Sequence, residues 1–115
     1  MPMTDCLFCK IAAGEIPAEI VFEDNDLMAF RDIAPVAPQH ILIIPKKHLD
    51  GPSSITAGDE ALIGKMMRVA GEVAAANGIG NAYRLVLSNG KDAGQLIFHI
   101  HMHIIGGRPL HWPPG

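Results

Sequence analysis

Long apolar runs are missing from this chain. Stretches such as Ile41-Leu42-Ile43-Ile44 fall far short of the roughly 20 residues that cross a bilayer, so no membrane partner is expected. The N-terminus lacks a basic region followed by a long apolar stretch, the mark of a secretion signal, and a cytoplasmic setting is the expectation. Positive charge is not in excess either: 9 Lys and Arg stand against 12 Asp and Glu, a formal net charge of -3. That balance gives no reason to expect a nucleic acid as main partner, although a small phosphate ligand needs only a local cradle of donors. No internal repeat, low-complexity tract or linker divides the chain, so residues 1–115 are read as one domain. Gly78-Ile79-Gly80 lacks the third glycine of a dinucleotide fingerprint, and no Walker A pattern occurs.

What is present is a globular balance, 49% apolar and 18% charged, enough for one modest core. Residues 5 to 13 read as a short helix stopped by Gly14 and Pro17. Glu19 to Glu23 and Leu27 to Arg31 flank Asp24-Asn25-Asp26 as a hairpin. Ala34 to Pro38 is a stiff loop, and His40 to Pro45 a buried strand ended by proline. Thr56-x-x-Asp59 offers a capping box for one long helix, whose inner face carries Leu62, Met66, Val69, Ala70 and Val73 and which Asn77-Gly78 closes. Tyr83 to Leu87 is a further strand, Ser88 to Gly94 a polar turn, and Leu96 to Ile105 the last strand. Five strands and two helices, joined by hairpins rather than β-α-β units, predict an α+β fold with an antiparallel sheet. The helices are expected on one face, the other being wet or buried against a second chain.

The chemistry concentrates in FHIHMHIIGGR, residues 98–108, which holds three of the six histidines at alternate positions. On a strand, His99, His101 and His103 would share one side about 7 Å apart. Ile100, Met102 and Ile104 would turn inward. A lone histidine there is normally just a satisfied polar residue; three in register point to function. Imidazole can attack, accept and donate near neutral pH, and alternate histidines can also converge on a metal ion. No carboxylate lies in the strand or beside it to complete a metal set. Gly90 to Gly94, by contrast, could present backbone N–H groups to a phosphate, which favours phosphoryl chemistry.

H-x-H-x-H followed by two apolar residues resembles the signature of the histidine triad (HIT) family, most closely its Hint branch of nucleotide-binding proteins. EIPAEIVFEDNDLMAFRDI, APQHILIIPKKH, AYRLVLSNGKDAGQ and the terminal HWPPG match in order and spacing. The resemblance implies a HIT-like fold and hydrolysis of nucleoside 5'-phosphoramidates through a nucleotidyl-histidine, with no cofactor required. It makes His101 the nucleophile and His103 the residue that bonds a phosphoryl oxygen and helps protonate the leaving amine. His99 and His40 would support them. Asp32 and Ile33 would hold the nucleoside, Asp32 by accepting from the ribose hydroxyls. Phe8, Ile11, Phe22 and Ile33 are candidate base walls that would serve equally as core. Ser88, Gly94, Gln95 and Leu96 match the phosphate side. Two positions depart from the family pattern: Ser88 stands where asparagine is common, and Leu96 where a serine or threonine is usual. Asn89 is a candidate to replace the amide.

Cys6-x-x-Cys9 in a reducing compartment suggests metal or redox chemistry more than a structural disulfide, and two thiols one helical turn apart could also simply pack as apolar residues. Some bacterial HIT relatives carry this pair and bind zinc. The resemblance then implies a structural Zn²⁺ on Cys6, Cys9, His48 and His99. It also implies a two-fold homodimer with a continuous ten-stranded sheet, in which the tail around Trp112 reaches the partner's site. Purine nucleotides (AMP, GMP and their phosphoramidates) are the expected ligands. Two rival functions stay open: a nucleotide- or partner-binding module with little turnover, and a catalytic metal site on the histidine strand.

Overall fold

Asp24 closes the first hairpin. Its Oδ1 accepts the N–H groups of Asp26 and Leu27, both at 2.8 Å, and so tightens the turn between β1 (Ile20–Glu23) and β2 (Leu27–Arg31). The computed structural model describes residues 5–115. β2 pairs with β3 (Gln39–Pro45), and the last strand, β5 (Met102–Gly106), pairs between β3 and β4 (Tyr83–Val86). All pairings are antiparallel, in the order β1-β2-β3-β5-β4.

The sheet has two buried faces, and strand alternation assigns them. Leu27, Ala29, Ile41, Ile43, Met102 and Ile104 face the long helix α2 (Glu60–Ala76) and its Met66, Val69, Ala70 and Val73. Met28, Phe30, Leu42 and Ile44 face the short helix α1 (Leu7–Ala12) through Phe8 and Ile11. The helices therefore cover opposite faces, not one. The cause is β2 and β3: both are apolar on consecutive residues, so each face asks for a cover. Phe22 packs against the α2 core and is no wall of the site. Thr56 donates from its N–H and its hydroxyl to Asp59 Oδ2, both at 3.0 Å, and starts α2 where the capping pattern placed it.

The last strand is shorter than its alternation suggested, beginning at Met102 rather than Leu96. Residues 95–101 spend their polar groups elsewhere. The Gln95 side chain donates to Asp50 O (2.6 Å) and Ile97 O (3.0 Å), and Ile100 N–H donates to Leu49 O (2.6 Å). With those groups engaged by the 49–50 loop, no ladder forms there, and only His103 of the three histidines lies on a strand.

Candidate functional site

His103 sits opposite Leu42 on β3, on the α1 face, and its neighbours fix its protons. Val36 N–H donates to His40 Nδ1 at 3.1 Å, so the neutral His40 carries its proton on Nε2. That Nε2–H donates to His103 Nδ1 at 2.8 Å. The proton of a neutral His103 must then lie on Nε2, as a donor with no partner among the described residues. Burial pushes the His40 pKa down against the pull of Asp32. Burial, then the charges of His101 and His40, push His103 down to about 4. Both rings are neutral at physiological pH. The chain ends on Asp32, whose Oδ2 lies 3.4 Å from His40 Nε2 and whose Oδ1 accepts Ala34 N–H. A carboxylate thus does stand beside the histidines; it arrives from the β2–β3 loop, where the local sequence of the strand gave no sign of it.

His101 is 8% exposed, its ring edge-on to Phe8 (centroids 5.1 Å) and 5.1 Å from the ring of His103. Its Nδ1 lies 2.8 Å from the carbonyl oxygen of His99. A carbonyl only accepts, so Nδ1 holds the proton and Nε2 keeps its lone pair. Nε2 has no hydrogen-bond partner among the described residues, and none of their side-chain N or O atoms is both fully buried and unpartnered.

On the α1 side of these rings lies a largely apolar cavity of about 350 Å³, bounded by Phe8, Ile11, Phe30, Leu42 and Leu96, with Asp32 and Ile33 at its polar end. Its size and its few polar groups suit a small ligand with an apolar face. Phe8, Ile11 and Ile33 line it as expected; Ile33 is fully exposed and so free to close on a ligand. Phe30 and Leu42 were not foreseen. β2 and β3 are apolar at every central position, so their sequence does not reveal which residues face a ligand.

The 88–96 loop approaches from the β4 end. Gly94 is left-handed (φ 94°), a backbone state that favours glycine. The N–H groups of Gly94 and Gln95 donate within the loop to Lys91 O and Gly90 O, and the buried Gln95 carboxamide braces Gly90, Asp50 and Ile97. Leu96 N–H has no partner among the described residues, and the Leu96 side chain is 83% exposed. Asn89 lends its Oδ1 to Ser53 N–H at 2.8 Å, holding the loop's outer side. Ser88 is half-buried and makes no side-chain hydrogen bond among the described residues.

His99 has parted from the other two. Its ring is fully buried in a second cluster with Cys6, Cys9 and His48, whose donor atoms all lie within 4.8 Å of one another. His99 Nδ1 faces Cys6 Sγ (3.3 Å) and Cys9 Sγ (3.4 Å); His48 Nδ1 faces Cys9 Sγ (3.3 Å). Each ring gives its Nε2–H to an oxygen, Pro45 O at 2.7 Å and Asp50 Oδ1 at 2.8 Å, which leaves both Nδ1 lone pairs turned inward. This is how a metal-bound histidine is normally oriented. Burial, then the hydrogen bond and charge of Cys6, push the Cys9 thiol up to about 11, so a cation must displace its proton. The donor set suits a tetrahedral soft cation. Asp32, His40 and His103 also converge within 4.8 Å. There, however, the proton on His40 Nε2 occupies the site a metal would need.

An antiparallel five-stranded sheet carrying these histidines beside an apolar cavity defines a histidine triad domain, and the chain belongs to the HIT family: the HIT domain matches residues 13–110. An uncharacterised HIT-like protein of Synechocystis is 53% identical over 111 residues, 96% of this chain and 97% of that one. A solved HIT family hydrolase from Legionella pneumophila is 49% identical with a TM-score of 0.95, covering 96% of this chain and all of that one. The histidine triad nucleotide-binding protein of Candida albicans is 29% identical with a TM-score of 0.81, covering 95% of this chain and 83% of that one. No helix among the described residues is long and apolar enough to cross a membrane.

Proposed function

We propose that this chain is a Hint-type hydrolase that cleaves the P–N bond of purine nucleoside 5'-phosphoramidates through a covalent adduct on His101. The observation that carries this reading is the His101 ring: Nδ1–H is committed to the His99 carbonyl, so the lone pair of Nε2 is available. Nε2 attacks the α-phosphorus, the P–Nε2 bond forms and the P–N bond breaks. The leaving amine takes a proton by way of His103, whose Nε2–H also bonds a phosphoryl oxygen. Water then attacks phosphorus, the P–Nε2 bond breaks, and a proton from water replaces the one lost with the amine. AMP and amine are the products. The adduct is a phosphoryl imidazolium, and the His99 carbonyl stabilises its Nδ1–H. Asp32 would accept from the ribose hydroxyls, Ile33 and Phe8 would enclose the purine, and Leu96 N–H is the loop donor free for phosphate. AMP and GMP are the expected ligands, no nucleic acid is, and the chain would work in the cytoplasm.

The test is AMP release from an adenosine phosphoramidate. His101→Ala should lower kcat by roughly 10⁴–10⁶, the scale at which removing a nucleophile is felt, and a denaturing quench held at alkaline pH should trap an acid-labile AMP adduct on the parent only. Turnover by His101→Ala at the parental rate would end this reading. The exposed Leu96 side chain, with no hydroxyl for phosphate, favours a second one: a nucleotide-binding adaptor with little turnover. Tight AMP binding without hydrolysis of any P–N substrate would select it.

The same proposal includes a structural Zn²⁺ on Cys6, Cys9, His48 and His99, away from the reacting atoms. When bound it would supply cross-linking of α1 to the sheet. Exhaustive chelation should therefore lower thermal stability without abolishing chemistry in the protein that stays folded. A homodimer joined at β4 completes the reading. The sheet ends on two edge strands, β1 and β4; β4 is the one proposed to pair with a second copy. Tyr83 on that edge lies against α2 at Gly71, beside the 54% exposed Met67. Arg84 on the same strand holds His111 O at 2.9 Å, so the exposed Trp112 leaves from the edge a partner would occupy.

A further inference from the structure

We infer that the Cys6/Cys9/His48/His99 cluster and the nucleotide cavity form one coupled unit, with Phe8 and the His99 main-chain carbonyl as its positioning groups. A cation at the cluster tightens nucleotide binding, and nucleotide tightens the cation by the same factor. This rests on the nucleotide-binding reading above.

Two connections carry it. The first is α1. Six residues are too few for a helix to hold itself in water. Cys6 caps it through Sγ, accepting Cys9 N–H at 3.2 Å, and Cys9 lies one turn on. Between the two cysteines stands Phe8, 5% exposed, which forms a wall of the cavity and meets His101 (centroids 5.1 Å, planes at 84°), His99 (6.1 Å) and Phe30 (5.5 Å). Whatever fixes both thiols fixes the ring between them. The second connection is His99 itself. Its imidazole belongs to the cluster, while its carbonyl oxygen holds His101 Nδ1–H. One residue thus serves the cation with its side chain and the nucleophile with its backbone.

The cluster has a reason to behave differently when filled. Without a cation, the two thiols can offer only weak S–H···N contacts, Cys6 to His99 Nδ1 at 3.3 Å and Cys9 to His48 Nδ1 at 3.3 Å. A cation would bond all four donors directly in place of those weak contacts, so α1 and residue 99 are held more firmly. Ligand and cation then favour the same arrangement, and linkage makes the effect reciprocal.

The experiment measures AMP affinity by calorimetry on zinc-loaded and zinc-stripped full-length chain, and zinc affinity by chelator competition with and without saturating AMP. The expected result is that zinc tightens AMP about fivefold or more, and that AMP tightens zinc by the same factor. In Phe8→Leu, zinc still binds and the factor falls toward one. If the stripped chain does not stay folded, chelator-driven zinc release replaces the first arm: AMP slows it in the parent and not in AMP-saturated Phe8→Leu. Zinc and AMP binding independently, an undiminished factor in Phe8→Leu, or a folded chain that takes no zinc would overturn the inference. A chain that binds zinc but no AMP would instead overturn the nucleotide reading from which the inference starts, an outcome the separate zinc titration makes distinct.

Discussion

His103 is half-buried between two other imidazoles, and that neighbourhood decides how the folded chain responds to acid. Its ordinary pKa of about 6.5 applies to the unfolded chain, whereas the folded ring is held near 4. Between these values the unfolded state binds more protons, so stability is intact above about pH 6.5 and is lost as pH falls toward 4. His40 and His99 are lowered too and act in the same direction. Melting temperature should therefore hold from pH 8 to 6.5 and fall steadily below it, and His103→Asn should make that fall shallower. An unchanged acid slope in the variant would show that the ring is not held neutral. Gln95 makes a different prediction from the one its motif implies. Its carboxamide is 2% exposed and braces three backbone groups, so Gln95→Ala orphans Asp50 O and Gly90 N–H at a cost of about 1–3 kcal/mol each where they stay dry. Denaturant melts should show that loss together with a lower kcat/KM. Much of the site could be read at this scale. The alternation of histidines marked His101 and His103, and the four possible metal donors were all named. The parting of His99 from the other two was not legible in the strand alternation, although the family resemblance had set it with Cys6, Cys9 and His48, because it depends on a backbone that turns away from the ladder at residues 95–101, under hydrogen bonds to residues 49 and 50 that are distant in sequence.

Elements were legible where local chemistry decides them. Gly14 ends α1, Asp24 shapes the first hairpin, Thr56 and Asp59 start α2, and Asn77 with Gly78 closes it. Which face each helix covers was not legible, since β2 and β3 are apolar on both sides and offer no alternation to read. That outcome gives α1 its importance. It is the only α-helix on the face of His103 and the apolar cavity among the described residues, it is six residues long, and Phe8 and Ile11 are its buried anchors. Cys9→Ser removes a donor from the cluster and a thiol from the first turn. With zinc supplied to both proteins, α1 amides of the parent, which has all four donors, should exchange slowly; in Cys9→Ser they should exchange at least about tenfold faster, while the β3 and β5 amides stay protected. Equal exchange of α1 in the two proteins would show that the cluster does not hold the helix.

At the scale of the whole molecule, the question is what becomes of the β4 edge. A strand edge left unpaired is a liability in solution, and β4 already has one face covered, with Leu85 packed on the α2 core. Tyr83, Gly71 and Met67 give that edge a continuous surface: a Cβ at Gly71 would approach Tyr83 Oη to 3.1 Å, and Met67 lies one turn earlier on α2. A second copy meeting this surface two-fold would pair β4 with its counterpart, giving ten strands in one sheet and enclosing Met67 from both sides. Standard interfaces remove about 800 Å² from each partner, a modest share of the 6723 Å² exposed by the chain. Sedimentation velocity at micromolar concentration should accordingly find a dimer. Met67→Lys sets one like charge close to another across the two-fold and leaves the buried face of α2 untouched, so it should sediment as a folded monomer with unchanged circular dichroism. If the tail of one chain contributes to the other's site, the monomer should also lose kcat/KM for amines that reach past the phosphate, while AMP still binds. A parent that sediments as a monomer, or a Met67→Lys dimer, would place the chain's assembly elsewhere than β4.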